Sequence, residues 1–183
     1  MRLFVAVTPP PEVREAALEK ARSVTWKGRI RWVPPRNVHL TLKFLGETPE
    51  QDVPRLEAAL ERVCLGRRAF DLALEGVGAF PSTNKARTSW VGAGEGSEPL
   101  RTLAEGVESA LRDLGFEPEK RPFHPHATVG RAKGGQAAMD GEEPVSEPLE
   151  FRVRSVELVR SRLTDEGAVY SVAASFALGG VSS

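Results

Sequence analysis

Val38-His39-Leu40-Thr41-Leu42-Lys43-Phe44-Leu45 alternates apolar and polar residues almost throughout. Successive side chains of a β-strand point to opposite faces. The phrase therefore predicts a strand with Val38, Leu40, Leu42 and Phe44 on one face and His39, Thr41 and Lys43 on the other. The apolar face must lie on a core, so the polar face lines something that needs polarity. A second of the chain's three histidines opens the same phrase, His126-Ala127-Thr128-Val129. Thr is about one residue in twenty here, so two of three histidines carrying Thr at the second position onward is a chance event on the order of one per cent.

Working outward from the two phrases, a repeat emerges. A strand at 2–8, a helix at 11–24 and the motif strand at 38–45 are matched by a strand at 86–92, a helix at 98–114 and the motif strand at 126–131. The first helix follows Thr8-Pro9-Pro10-Pro11 and carries Val13, Ala17, Ala21 and Val24 on one stripe. The second carries Leu100, Leu103, Val107 and Leu111, with Gly115 as its stop. The fold class expected is α/β in the α+β sense. Two lobes related by a pseudo-twofold, with antiparallel-rich sheets, line a central cleft and carry the helices outside; residues 1–183 form one domain.

Other segments read more simply. Arg29 to Val33 is a short strand closed by Pro34-Pro35, and Thr48-Pro49-Glu50-Gln51 is a capping box opening a helix over 49–65. Phe70, Leu72 and Leu74 alternate as a strand. Residues 132–148 are rich in Gly, Pro and acids and are expected to form a loop with at most one short helix. Phe151–Leu163 and Ala168–Leu178 read as a strand pair turning at Asp165-Glu166-Gly167. The last five residues are expected to fray.

Composition narrows the function. Twenty-five basic residues balance 25 acidic ones, which argues against broad electrostatic capture of long nucleic acid. No apolar run approaches the roughly 20 residues of a membrane span. The single Cys64 lies on an apolar helix stripe, so there is no disulfide framework and the expected location is the cytoplasm. Gly92-Ala93-Gly94-Glu95-Gly96 lacks the Lys-Ser/Thr of a P-loop, and Gly-x-Ser-x-Gly is absent.

Two imidazoles facing each other can work as a pair. One gives a proton while the other takes one, the arrangement needed to attack phosphorus and expel an alkoxide. Thr41 and Thr128 supply uncharged donors for nonbridging phosphoryl oxygens. Arg131 is a candidate phosphate clamp and Lys43 its rough counterpart. Strict alternation puts Lys43 on the His39 face and Arg131 off the His126 face, unless a kink or bulge at Gly130 brings Arg131 round. Phe4, Trp32 and Trp90 read as core, whereas Phe123, beside the second motif, is a candidate to stack a base. His124-Pro125-His126 with His39 also has the make-up of a three-His zinc site, which would leave the two threonines without a role. A protein that only holds an RNA end in the same cleft is a further reading.

Taken together, Arg2-Leu3-Phe4-Val5-Ala6, His39 to Gly46, Phe123 to Arg131, Val156-Glu157-Leu158 with Ser161, and Gly167 with Tyr170 resemble the 2H phosphoesterase superfamily. The resemblance is specifically to its RNA 2′,3′-cyclic phosphodiesterases, also called 2′-5′ RNA ligases. It covers nearly the whole chain. It implies a two-lobed fold, no metal or cofactor, and action on RNA or a nucleotide that ends in a 2′,3′-cyclic phosphate; the protein is expected to be a monomer. It implies hydrolysis to a 2′-phosphate, with His39 as proton donor and His126 as proton acceptor. Thr41, Thr128 and Arg131 would hold the phosphate. With a 5′-hydroxyl as nucleophile, the same machinery would make or break 2′-5′ linkages. Val129-Gly130 departs from the family's more usual Leu-small pair, and the long acidic segment at 132–148 is a second departure.

Overall fold

The computed structural model describes residues 1–180. Its main strands and helices are β1 (Arg2–Val7), α1 (Pro11–Arg22), β2 (Trp26–Trp32), β3 (Leu40–Glu47), α2 (Val53–Leu65), β4 (Phe70–Pro81), β5 (Ala86–Ala93), α3 (Ser97–Arg112), β6 (His126–Met139), β7 (Leu149–Val153), β8 (Ser155–Thr164) and β9 (Gly167–Ala177). Leu178–Gly180 forms a closing 3-10 turn, so two of the five residues expected to fray are in a turn, and the other three lie outside the described residues.

All nine strands join one sheet in the order β7-β4-β5-β6-β3-β1-β8-β9, with β2 paired to β6 off this path. Every pairing is antiparallel. The order is a palindrome about the β3–β6 seam: β1 flanks β3 as β5 flanks β6, and β8–β9 match β4–β7. The duplicated strand-helix-motif unit of the sequence thus becomes two halves of a single sheet, meeting at the motif strands. The helices cross the seam. α1, from the first half, packs against β5 and β7, and α3, from the second, packs against β3.

One face of the sheet carries the main core. Leu3, Val5, Val7, Leu40, Leu42, Ala127, Val129 and Leu158 meet Ala17, Leu18 and Ala21 of α1, Leu56 and Leu60 of α2, and Leu103, Val107 and Leu111 of α3. A smaller cluster of Phe4, Ala6, Val159 and Tyr170 lies apart from it. β1 alternates between the two, which is why five of its six residues are buried.

Several elements differ from expectation. β6 continues to Met139, pairing with β2 through the stretch read as loop. The left-handed Gly134 and Gly135 take up extra residues that β2 does not match, and they break the alternation that would have marked a strand. Phe151–Leu163 is two strands, β7 and β8, separated at Arg154. The capping box does not form. Thr48 Oγ1 donates to the Gly46 carbonyl, and a 3-10 turn at Glu50–Asp52 precedes α2. α3 starts at Ser97, where it was expected, after the left-handed Gly96, at which a Cβ would stand 2.1 Å from the Asp71 carbonyl oxygen.

Candidate active site

The seam between β3 and β6 rests on one backbone pairing, Leu40 opposite Ala127. In an antiparallel ladder, continuing that register one residue either way sets His39 opposite Thr128 and Thr41 opposite His126. The two histidines then occupy a diagonal, with their backbones about 7–8 Å apart. A charge on His126 pushes the His39 pKa down.

Each imidazole is held in the same way. His39 Nδ1–H donates to the Asn37 carbonyl at 2.7 Å, and His126 Nδ1–H donates to the His124 carbonyl at 2.6 Å. In both halves the acceptor is the residue two before the histidine. Fixing the proton on Nδ1 leaves Nε2 as the basic nitrogen of the neutral ring. In the first motif Thr41 Oγ1–H donates to that nitrogen at 2.8 Å.

Aromatic rings brace both histidines. Phe4 stacks on His39 with centroids 4.7 Å apart, and Tyr170 meets it edge-on at 5.3 Å. Phe80 meets His126 edge-on at 5.0 Å and Trp90 lies 6.1 Å away. His124 packs on Trp90 at 4.8 Å and on Phe80 at 5.2 Å. This environment sets the titration. Burial lowers the pKa of His39, its bond to the Asn37 carbonyl opposes that, and the charge of His126 lowers it further. Burial likewise lowers the pKa of His126, against the bond to the His124 carbonyl and with a further lowering from His124. Both rings are therefore biased toward the neutral form until an anion arrives to favour the charged one.

A β-bulge follows each motif at the same place. Against β1, the register slips after Thr41, so that Thr41 opposes Ala6 while Lys43 opposes Val5. Against β5, it slips after Thr128, so that Thr128 opposes Trp90 while Gly130 opposes Ser89. The bulged residues are Leu42 and Val129, both buried. Beyond a bulge the alternation reverses, and this corrects the expected faces. Lys43 turns away from His39 into the helix side. It is 6% exposed, and its Nζ donates at 2.8 Å to Glu108 Oε2 of α3 and at 2.8 Å to the Glu117 carbonyl. Phe44, 69% exposed, takes the face that carries Phe4, at 6.1 Å. In the second half, Arg131 comes round to the Thr128 face, since Thr88 and Trp90, their partners, are two apart on β5. Arg131 thus corresponds to Phe44 rather than Lys43, and Gly130 corresponds to Lys43.

The registers put His39, Thr41, His126, Thr128 and Arg131 on one face of the sheet about the β3–β6 seam, and Lys43 on the other. Phe123 packs partly against the core and lines a shallow pocket with Trp90, His124 and Arg101, to one side of His126. Phe4 and Trp90, read as core, brace the histidines, and Phe80 and Tyr170 join them. Among the described residues no group of three or more His, Cys, Asp or Glu is arranged to hold a metal ion. The sequence signal for Phe4 was its place in an unbroken apolar strand, buried on both faces; nothing local distinguishes a ring on a core from a ring on an imidazole.

A family model described as the 2′-5′ RNA ligase superfamily matches residues 9–165. An RNA 2′,3′-cyclic phosphodiesterase of Archaeoglobus fulgidus is 38% identical over 173 residues, covering 93% of this chain and 96% of that protein. Another, of Thermus thermophilus, is 39% identical over 186 residues, covering 98% and 91%. Among solved structures, TT0787 of the same Thermus species superposes with a TM-score of 0.80 at 37% identity, over 98% of this chain and 99% of that one. Escherichia coli LigT complexed with 3′-AMP gives 0.77 at 28% identity over 97% of each chain. With the whole fold, the motif seam and these relatives in agreement, this chain belongs to the 2′-5′ RNA ligase superfamily.

Proposed function

We propose that the protein hydrolyses RNA or nucleotide 2′,3′-cyclic phosphates to 2′-phosphates, using two imidazoles and no Lewis acid. The observation that carries this is the seam at Leu40–Ala127, which pairs two His-x-Thr phrases head to tail with each Nδ1 tied to a carbonyl. His126 Nε2 takes a proton from water as its oxygen bonds to phosphorus. The P–O3′ bond breaks, and His39 Nε2–H protonates the departing 3′ oxygen. The product carries a 2′-phosphate and a 3′-hydroxyl, and the two histidines have exchanged protonation states. The assignment of acid and base follows the family resemblance, since the local geometry is close to symmetric.

Thr41, Thr128 and Arg131 hold the nonbridging oxygens, where donors fixed in advance stabilise charge that grows in the transition state. With a 5′-hydroxyl in place of water, the same step makes a 2′-5′ linkage. The buried, unpaired thiol of Cys64, raised to about 11 by burial, fits a reducing cytoplasm, and we place the protein there as a monomer. No helix among the described residues is long and apolar enough to cross a membrane. The test is incubation of an oligonucleotide ending in a 2′,3′-cyclic phosphate with the protein in excess chelator. A 2′-phosphorylated product that forms only when both His39 and His126 are present supports the reading. A 3′-phosphate product, or activity that vanishes in chelator, overturns it.

A further inference from the structure

We propose that the β2–β6 ribbon is the track for the single-stranded RNA that leads into the reacting end, a reading that rests on the proposed cyclic-phosphate activity. The register sets Arg31 directly opposite Arg131 and Arg29 directly opposite Lys133. All four side chains are exposed. Residues two apart share a face, so the four cations form a two-by-two array on one side of the ribbon, while Ile30, Trp32 and Gly130 crowd together on the other. Like charges directly opposite destabilise a sheet, and this ribbon carries two such pairs in succession.

The array is not relieved internally. Among the described residues no carboxylate comes within ion-pair distance of any of the four. Arg31 Nη2 donates to a neutral acceptor, the Glu166 carbonyl, at 3.0 Å, and Arg131 Nη1 reaches only Thr88 Oγ1 at 3.5 Å. The next cation along β2, Lys27, is by contrast paired with Asp140 at 3.5 Å. In a chain of zero net charge, a patch of four unneutralised cations is a local arrangement and not the spill-over of a basic protein.

Its position gives it a ligand. Arg131 lies on the Thr128 face, so the array begins at the phosphate-holding group and continues along β6 for two more residues, about 6.7 Å of strand. Three of the four are arginines, whose planar forks suit phosphate oxygens. The nucleotides on the 5′ side of a terminal cyclic phosphate bring a row of phosphodiesters, each with one negative charge. A narrow ribbon matches one strand better than a duplex. The array therefore favours oligonucleotides over mononucleotides without touching the chemistry.

The experiment compares the wild type with Arg29→Gln/Lys133→Gln, leaving Arg131 intact. Substrates are a nucleoside 2′,3′-cyclic phosphate and a decanucleotide with the same end. We expect kcat/KM for the decanucleotide to fall on the order of tenfold at low salt, with mononucleotide turnover unchanged; the latter also reports a folded site. In parallel, binding of a 3′-phosphorylated decanucleotide is followed by anisotropy against salt. Losing two phosphate contacts should reduce the slope of log K against log salt by about 1.4. An unchanged decanucleotide rate, equal losses on both substrates, or parallel salt slopes would overturn the track. Failure of the wild type to open either substrate would refute the proposed activity instead, and the salt slopes would still judge the track.

Discussion

Lys43→Met separates the reading of the strand from the reading of the fold. By alternation Lys43 belongs beside His39, where its loss would weaken phosphate binding. In the structure the bulge at Leu42 sends it to the helix side, where Nζ bonds Glu108 Oε2 and the Glu117 carbonyl, each at 2.8 Å. Met replaces the stem at similar volume, so no sizeable cavity opens. The lost term is the pair of charge-assisted bonds, about 1.5–3 kcal/mol each before discount. The Glu108 side chain is 27% exposed and can regain water once Lys43 is gone, which brings the net cost to about 1.5–3 kcal/mol in all. At roughly 2–4 °C per kcal/mol for a chain of this size, the melting temperature falls by about 3–12 °C.

Activity on a mononucleotide at 25 °C should stay within about twofold of wild type. The loss should also depend on pH. Burial alone would raise the Glu108 pKa, but its bonds to Lys43 Nζ and the Glu119 N–H, with the charges of Lys43 and Arg112, hold it below its usual value. A depressed carboxylate contributes stability that is present above the unfolded pKa and lost as pH falls through the folded one. The Lys43→Met penalty should therefore shrink in acid. Calorimetric melts and initial rates on the same preparations decide the matter. A tenfold fall in kcat/KM with an unchanged melting temperature would refute the placement.

Either His39→Ala or His126→Ala should lower kcat by about 10²–10⁴, measured by product release, and the double variant should lose much less than the product of the two, since they act as a unit. Burial lowers both imidazoles, so the singly protonated pair is most populated on the acid side of their ordinary range. The kcat/KM profile for a mononucleotide should accordingly peak below about pH 6.5 and fall as pH rises; a maximum above pH 8 would contradict it. The same shifts affect folding. Between the folded pKa and about 6.5 the unfolded chain binds more protons, so stability falls as pH is lowered through that window; denaturant melts should find His126→Gln less sensitive there. Gly130→Ala sets a Cβ 2.5 Å from Ile30 Cγ2 and 2.8 Å from Ser89 Oγ. It should cost about 1–3 kcal/mol and, by shifting Arg131, raise KM more than it lowers kcat.

The chain alone carried the motif strands, the three helices and the duplication, because alternation and helical periodicity are local properties of an ordered list of residues. It also carried His39, Thr41, His126 and Thr128, since no bulge falls inside either His-x-Thr phrase and simple alternation holds across each pair. What it could not carry was anything that depends on a neighbour. The bulges at Leu42 and Val129 exist only relative to β1 and β5, and they decide that Arg131 shares the Thr128 face while Lys43 leaves the Thr41 face. β6 reads as a loop beyond Arg131 until β2 supplies the missing hydrogen bonds around Gly134 and Gly135. Whether Phe4 and Trp90 rest on a core or on an imidazole is likewise set by contacts between segments far apart in sequence. Backbone pairing and ring packing are long-range, and tertiary structure alone chooses among them.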